Sequence, residues 1–263
     1  MITRPSNPKL ASRVGGARAA LKSLIDGGLG LQIIGVFIVI VLVAGGIVLL
    51  QHRHQQDNSA NLIRPTGLPA SISTQLASVM ALSPVPPTTA HDFTLTDDRG
   101  RTVSLASFRG RVVVLEFMDS HCVDICPIVS QELIDANRDL GTASNRVAFI
   151  AVNVNKYHAS VADVSAFSRE HQLNSIGSWH FVTGAPSILR PIWAAYGITV
   201  QAPSPKADVI HSSYVFFIDT QGRERYLANP TDLHTASGKA YLPPGSLSDW
   251  GRGIALVVKS LLR

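Results

Sequence analysis

This chain of 263 residues has only two cysteines, and only 16% of its residues carry charge. It has no internal repeat, no Gly-rich phosphate loop, no GxSxG and no HExxH. Those absences leave no case for phosphate chemistry, a nucleophile-elbow hydrolase or a zinc protease helix. The formal charge is +5, which invites a nucleic-acid reading. The distribution removes it: from Asp92 to Arg263 there are 16 Lys+Arg and 16 Asp+Glu, so the excess lies upstream. No DNA or RNA partner is expected.

Charge is most conspicuously missing from Leu29 to Leu50, LGLQIIGVFIVIVLVAGGIVLL. A helix of that length is about 33 Å long, enough for a hydrocarbon core of roughly 30 Å. The run exceeds the usual h-region of about 7–15 residues, and no small-x-small cleavage pattern follows it closely. No cysteine stands there to accept lipid. An uncleaved, single-pass anchor is the expectation. Arg4, Lys9, Arg13, Arg18 and Lys22 precede it, and only Arg53 and Arg64 follow. The positive-inside rule then puts residues 1–28 in the cytoplasm, as a basic tail of a cell-membrane protein, and everything after residue 50 outside. His52 and His54 flank the span as an interfacial anchor.

Residues 51–90 hold Pro65, Pro69, Pro84, Pro86 and Pro87 with many Ser, Thr and Gln. They read as a semi-rigid extracytoplasmic tether, with a short helical pattern from Ile72 to Met80. Residues 91–263 read as a folded domain. FTLTDDRGRTVSL alternates around Asp98-Arg99-Gly100 and predicts a β-hairpin. RVVVLEF (Arg111 to Phe117) and VAFIAVNV (Val147 to Val154) are continuous apolar runs, as in strands buried on both faces. Helical periods follow Cys126 as far as Gly141, run from Ser160 to His171, and recur from Ser187 to Gly197, where Pro191 marks a kink or the first turn. SYVFFID and RERYLA make a second hairpin about Gln221-Gly222, and Ser248 is the expected cap of a last helix, Asp249 to Leu262. Strand–helix–strand crossovers require parallel pairing, and the final hairpin adds antiparallel strands. The fold class is α/β: a thioredoxin-like sheet with an extra N-terminal β-hairpin, behind one N-terminal transmembrane helix. Trp179, Trp193, Phe216 and Phe217 fall at core positions, and Asn229 to Leu247 is a Pro- and Gly-containing insertion.

Cys122-Val-Asp-Ile-Cys126-Pro127 follows the first buried strand and opens a helix. This is where α/β sheets place their sites. Positions i and i+4 face one side, and the helix N-terminus favours thiolate. A staple this short stabilises by only about 2 kcal/mol. That leaves dithiol/disulfide exchange or soft-metal binding, in which two thiolates select Cu(I) and imidazole is an acceptable third ligand. Three residues stand between the cysteines, against the two usual in exchange motifs, and the spacing alone does not decide. Asp124 lies between the thiols, and His121, beside Cys122, is read as a solvated side chain.

The run VVVLEFMDSHCVDICP, followed some 85 residues later by DVIHSSYVFFIDTQGRERY, resembles the Sco/SenC family. HDFTLTDDRGRTVSLASFRGRVVVLEF, AFIAVNV and WHFVTGAPSILRPIWAAYGI follow the same family order, so the likeness spans most of residues 91–228. It implies a membrane-anchored, thioredoxin-fold protein that assembles the binuclear copper site of cytochrome c oxidase. It also implies a copper site made by Cys122, Cys126 and His211, holding Cu(I) with Cu(II) as a second state, with an oxidase subunit as acceptor and a thiol reductant as partner. Exchange thioredoxins resemble one another in a cis-proline just before the later strand; here Pro203 and Pro205 lie several residues upstream and His211 occupies the approach. The chain departs from the family at Val123, at Ile210 and at Val152-Asn153-Val154. A thiol-disulfide oxidoreductase acting on the copper acceptor's cysteines is the alternative, and a scaffold whose thiols sense copper or redox state is a third.

Overall fold

The computed structural model describes residues 38–47, 64–229, 233–235, 240–241 and 245–263. The chain divides into two compact units, Met1–Asn61 and Leu62–Arg263. In the first, residues 38–47 are helical and their large apolar side chains are exposed. The rest of the expected anchor, 29–37 and 48–50, lies outside the described residues, as do His52 and His54. Among the described residues no helix is long and apolar enough to cross a membrane.

The second unit is built on a six-stranded sheet. Its strands are β1 (Ser83–Thr89), β4 (Val112–Met118), β5 (Val147–Asn153), β6 (Trp179–Val182), β9 (Val215–Ile218) and β10 (Arg223–Ala228), in the order β1-β10-β9-β4-β5-β6. β4, β5 and β6 are parallel, and β9, β10 and β1 are added antiparallel. Every residue of β4 and β5 is buried, because both faces are covered. On one face Val112, Val114 and Met118 pack against α2 (Ile125–Leu140) and α5 (Ser246–Leu261). On the other, Val113, Leu115 and Phe117 meet α4 (Pro186–Ala195) and the small hairpin of β2 (Thr94–Thr96) and β3 (Thr102–Ser104). Trp179, Trp193, Phe216 and Phe217 are all buried in these two cores.

Three local expectations change. The folded part of the chain begins well inside the stretch expected as a tether. Helix α1 (Thr74–Val79), capped by the Ser73 hydroxyl, buries Leu76, and Ile72, Met80 and Leu82 around it join the core. β1 then pairs with β10, Ser83 opposite Leu227 and Thr89 opposite Arg223. Pro84, Pro86 and Pro87 are tolerated because β1 is an edge strand with an irregular register, where a missing N–H need not break a ladder. Second, Ser248 does not cap α5. The helix starts one turn earlier from Gly245, whose φ of 85° suits glycine, and Ser248 turns back to donate to the Gly245 carbonyl at 2.8 Å. Third, α4 opens on Pro186, leaving the exposed Pro191 inside the helix. In the 229–247 insertion, β11 (Leu233–His234) pairs with β12 (Ala240–Tyr241) as a separate two-stranded sheet.

Helices α2 and α5 approach so closely that a Cβ at Gly251 would stand 2.7 Å from the Asp135 Cβ and 3.2 Å from the Ala136 nitrogen. Gly251→Ala therefore destabilises the fold by about 1–3 kcal/mol, because the backbone clash outweighs a helix-propensity gain of about 1 kcal/mol. Thermal melts check this; an unchanged or raised midpoint would contradict it.

Candidate metal and thiol site

The parallel strand β4 ends at Met118, and the chain turns through residues 119–124 before α2 begins at Ile125. Asp119 holds that turn. It is buried, and its Oδ1 accepts from the His121 backbone N–H and from Asn155 Nδ2, both at 2.8 Å. Asn153, at the end of β5, reaches across as well: its Oδ1 accepts from the Ser120 N–H at 3.4 Å and its Nδ2 donates to the His158 carbonyl at 2.8 Å. One of the chain's departures from the Sco/SenC pattern thus ties the cysteine loop to residues 155–158.

Cys122 and Cys126 are both free thiols. Asp124, the N-cap residue of α2, gives no side-chain cap. The Cys122 sulfur takes that role, accepting the Cys126 N–H at 3.4 Å. Pro127 falls in the first turn, where its missing N–H costs nothing. The Cys126 thiol donates to Cys122, and with the Cys126 and Asp124 N–H groups this pulls the Cys122 thiol down to about 7 against its burial. Cys126, which is buried, is pushed well up by the same hydrogen bond, by burial and by the negative charge of Cys122. The first proton to leave the pair is therefore that of Cys122.

His211 sits in β8 (Ile210–His211), which pairs with β7 (Val200–Gln201) in a short arm away from the main sheet. Its Nδ1 is 3.0 Å from the Ser212 carbonyl oxygen, which can only accept, so Nδ1 carries the hydrogen and Nε2 keeps its lone pair. Burial holds the ring below the usual histidine range, which keeps it neutral. A cleft of about 630 Å³ lies between residues 119–125 and 208–213, and both Cys122 and His211 line it. Cys126 is buried and outside the cleft lining, joined through its thiol to Cys122. Val123 and Ile210 stand exposed at the rim. The donor set that opens here is a thiolate, a thiol that must still ionise, and a neutral imidazole. That set fits a soft or borderline metal better than a hard one.

Several residues of the site carried no signal in the spacing of motifs. His121 is paired rather than simply solvated: its Nε2 lies 3.2 Å from Asp163 Oδ1 and its ring stacks on His158. Glu116, inside the apolar run of β4, is buried on the same side of the sheet as α2. Burial pushes its carboxyl up to about 8, and its negative form raises Cys126 in turn. Glu132 of α2 is buried nearby and raised by burial and by Glu116. One carboxyl oxygen of each has no hydrogen-bond partner among the described residues. A lone carboxylate in RVVVLEF was the one visible hint.

Comparison with known proteins places the chain in a family and identifies its fold. A family model described as SCO1/SenC matches residues 83–237, starting within the edge strand β1. The SCO1 protein homolog of Bacillus subtilis is 26% identical over 133 residues, covering 50% of this chain and 68% of that one. The mitochondrial SCO2 homolog of Bos taurus is 28% identical over 139 residues, half of each chain. Among solved structures, copper-bound ScoI of Bradyrhizobium japonicum superposes with a TM-score of 0.52 at 19% identity, over 66% of this chain and all of that one. Apo Sco1 of Thermus thermophilus gives 0.52 at 22% identity, over 68% and 94%. At such identities the structures speak for the fold, and it is the thioredoxin-like α/β fold expected. The family match, by contrast, takes in more than half of the chain, including both cysteines and His211, and the chain belongs to the SCO1/SenC family.

Proposed function

We propose that this chain is a membrane-anchored copper chaperone for the assembly of a cytochrome oxidase copper site. Cys122 and Cys126 as thiolates and His211 through Nε2 are the ligands, and copper is cargo passed on to an oxidase subunit. The observation that carries this reading is the opening of Cys122 and His211 onto one cleft, with Cys126 hydrogen-bonded to Cys122. Two sulfurs and one neutral imidazole suit Cu(I), and Cu(II) is the second state in play. Two fold neighbours, ScoI of Bradyrhizobium japonicum and ScoI of Arabidopsis thaliana, were solved with copper bound, which supports copper as the cargo here. Residues 29–50 are the anchor, with residues 1–28 cytoplasmic and the folded domain outside. The residues between the anchor and residue 64 serve as its tether.

Metal entry displaces the remaining thiol protons, so affinity falls as pH drops. It also needs both sulfurs reduced. A thiol reductant that returns two electrons and two protons to a Cys122–Cys126 disulfide would therefore gate loading. The test is Cu(I) titration of the full chain, reduced and with that disulfide formed. About one Cu(I) should bind the reduced chain tightly and none the oxidised chain. Equal affinity in both would overturn the reading.

A second reading has its own support. One thiol at about 7 above a partner pushed well up is the asymmetry of an attacking and a resolving cysteine. As a thiol-disulfide oxidoreductase the chain would reduce the acceptor's cysteines and need no metal. Then Cys122→Ser abolishes oxidase assembly while His211→Ala is nearly harmless; for a chaperone both fail.

A further inference from the structure

Beside the thiol cleft lies a second group of ligand-bearing side chains that neither the motif nor the proposed function uses. Helix α3 (Val161–Glu170) starts with a capping box. Asp163 Oδ2 accepts from the Ser160 N–H at 3.0 Å and from its hydroxyl at 2.6 Å, while the Ser160 Oγ accepts the Asp163 N–H at 3.1 Å. That box uses one carboxylate oxygen. The other, Oδ1, points to two imidazoles, 3.2 Å from His121 Nε2 and 3.8 Å from His158 Nδ1. The two rings stack with centroids 3.6 Å apart. All three ligand atoms lie within 4.8 Å of one another.

Loop stapling does not account for this arrangement. The cysteine loop is already bound to residues 155–158 through buried groups: Asp119 to Asn155, and Ser120 and Asn153 to the His158 carbonyl. Those ties use the backbone of His158 and leave its ring free of them. Two imidazole nitrogens converging on the one carboxylate oxygen left over by a helix cap is a donor set of two nitrogens and an oxygen. Such a set suits a borderline divalent ion, with water filling the remaining position.

We infer that His121 Nε2, His158 Nδ1 and Asp163 Oδ1 form a second metal site, for Cu(II) or Zn(II), on the edge of the thiol cleft. Metal–nitrogen bonds of about 2.0–2.1 Å require the nitrogens to draw together and the lone pairs to converge, so the rings rotate out of their stack on binding. Both have room to do so: the side chains of His121 and His158 are 47% and 32% exposed. The ion takes the place of the hydrogen between His121 Nε2 and Asp163 Oδ1, and the neutral ring binds as the tautomer that carries its hydrogen on Nδ1. Asp163 keeps its cap through Oδ2, which fixes the orientation of the oxygen that binds. The site needs no thiol, so it stands whether or not the cysteines carry copper.

The experiment uses the full chain carrying Cys122→Ser, Cys126→Ser and His211→Ala, stripped of metal and titrated with Cu(II) at pH 7.5. The same chain with His158→Ala is the comparison, and other histidines are common to both. The background chain should bind one more tight equivalent of Cu(II), with nitrogen hyperfine coupling in its EPR spectrum that the His158→Ala chain lacks. Affinity at that site should fall at least tenfold. His158→Ala preserves the backbone ties of its loop, and circular dichroism checks the fold. As a second variant, Asp163→Asn keeps an oxygen for the cap and should weaken the same equivalent. Equal stoichiometry and affinity in the background chain and both variants would overturn the assignment.

Discussion

Glu116→Leu makes the reduced, metal-free chain more stable at pH 8 by on the order of 4 kcal/mol, and by far less at pH 5. The cause is the burial of a carboxyl that has one unpaired oxygen and a second buried carboxyl, Glu132, nearby. Burial raises Glu116 from 4.5 to about 8. A carboxyl raised on folding binds its proton more tightly in the native state. Its neutral form therefore costs little below the unfolded value, and stability is lost as pH climbs from about 4.5 through 8. Each pH unit in that window removes about 1.4 kcal/mol. The lowered histidines, His171, His180 and His211, have the opposite slope: stability rises with pH until the unfolded histidine value is passed. They are common to both chains and cancel in the comparison. Leucine fills similar space, carries no polar atom into that position and removes the charge that faces Glu132. Urea midpoints at pH 5 and pH 8 measure the effect. Parallel pH dependence in the two chains would show that Glu116 ionises freely in the folded state.

What the sequence made legible was whatever repeats along the chain or depends on neighbours. The wholly apolar runs about Val114 and Ile150 announced buried parallel strands, and the 122–126 spacing after the first of them placed two sulfurs at a helix start. The likeness to a family supplied His211, which lies 85 residues beyond Cys126 and which no local pattern could bring there. Residues 64–90 misled because proline content in an edge strand looks the same as proline content in a linker. Only the partner, β10, tells them apart. Ser248 misled because a hydroxyl one turn inside a helix and one at its cap share the same sequence context. Glu116 was hidden in plain view within RVVVLEF, but its neighbours Glu132 and Cys126 come from another element. His158 and Asp163 are loop and cap residues taken singly. Their meaning arises only when Asn153 and Asn155 fold residues 155–158 back onto the cysteine turn.

In the proposed chaperone Cys122, Cys126 and His211 act together on one metal ion. Removing any one ligand should cost far more than a side-chain contact, because a two-coordinate remainder leaves the metal open to competing thiols in solution. His211 is the sharpest test, since thiol exchange alone has no use for it. The decisive measurement is copper stoichiometry on the reduced full chain beside its His211→Ala variant, each equilibrated with a soluble Cu(I) chelator. A three-ligand site predicts about one tightly held copper in the parent and a loss of at least a hundredfold in affinity in the variant. Equal copper retention in the two chains, or none in either, would contradict it and leave Cys122 and Cys126 as an exchange pair.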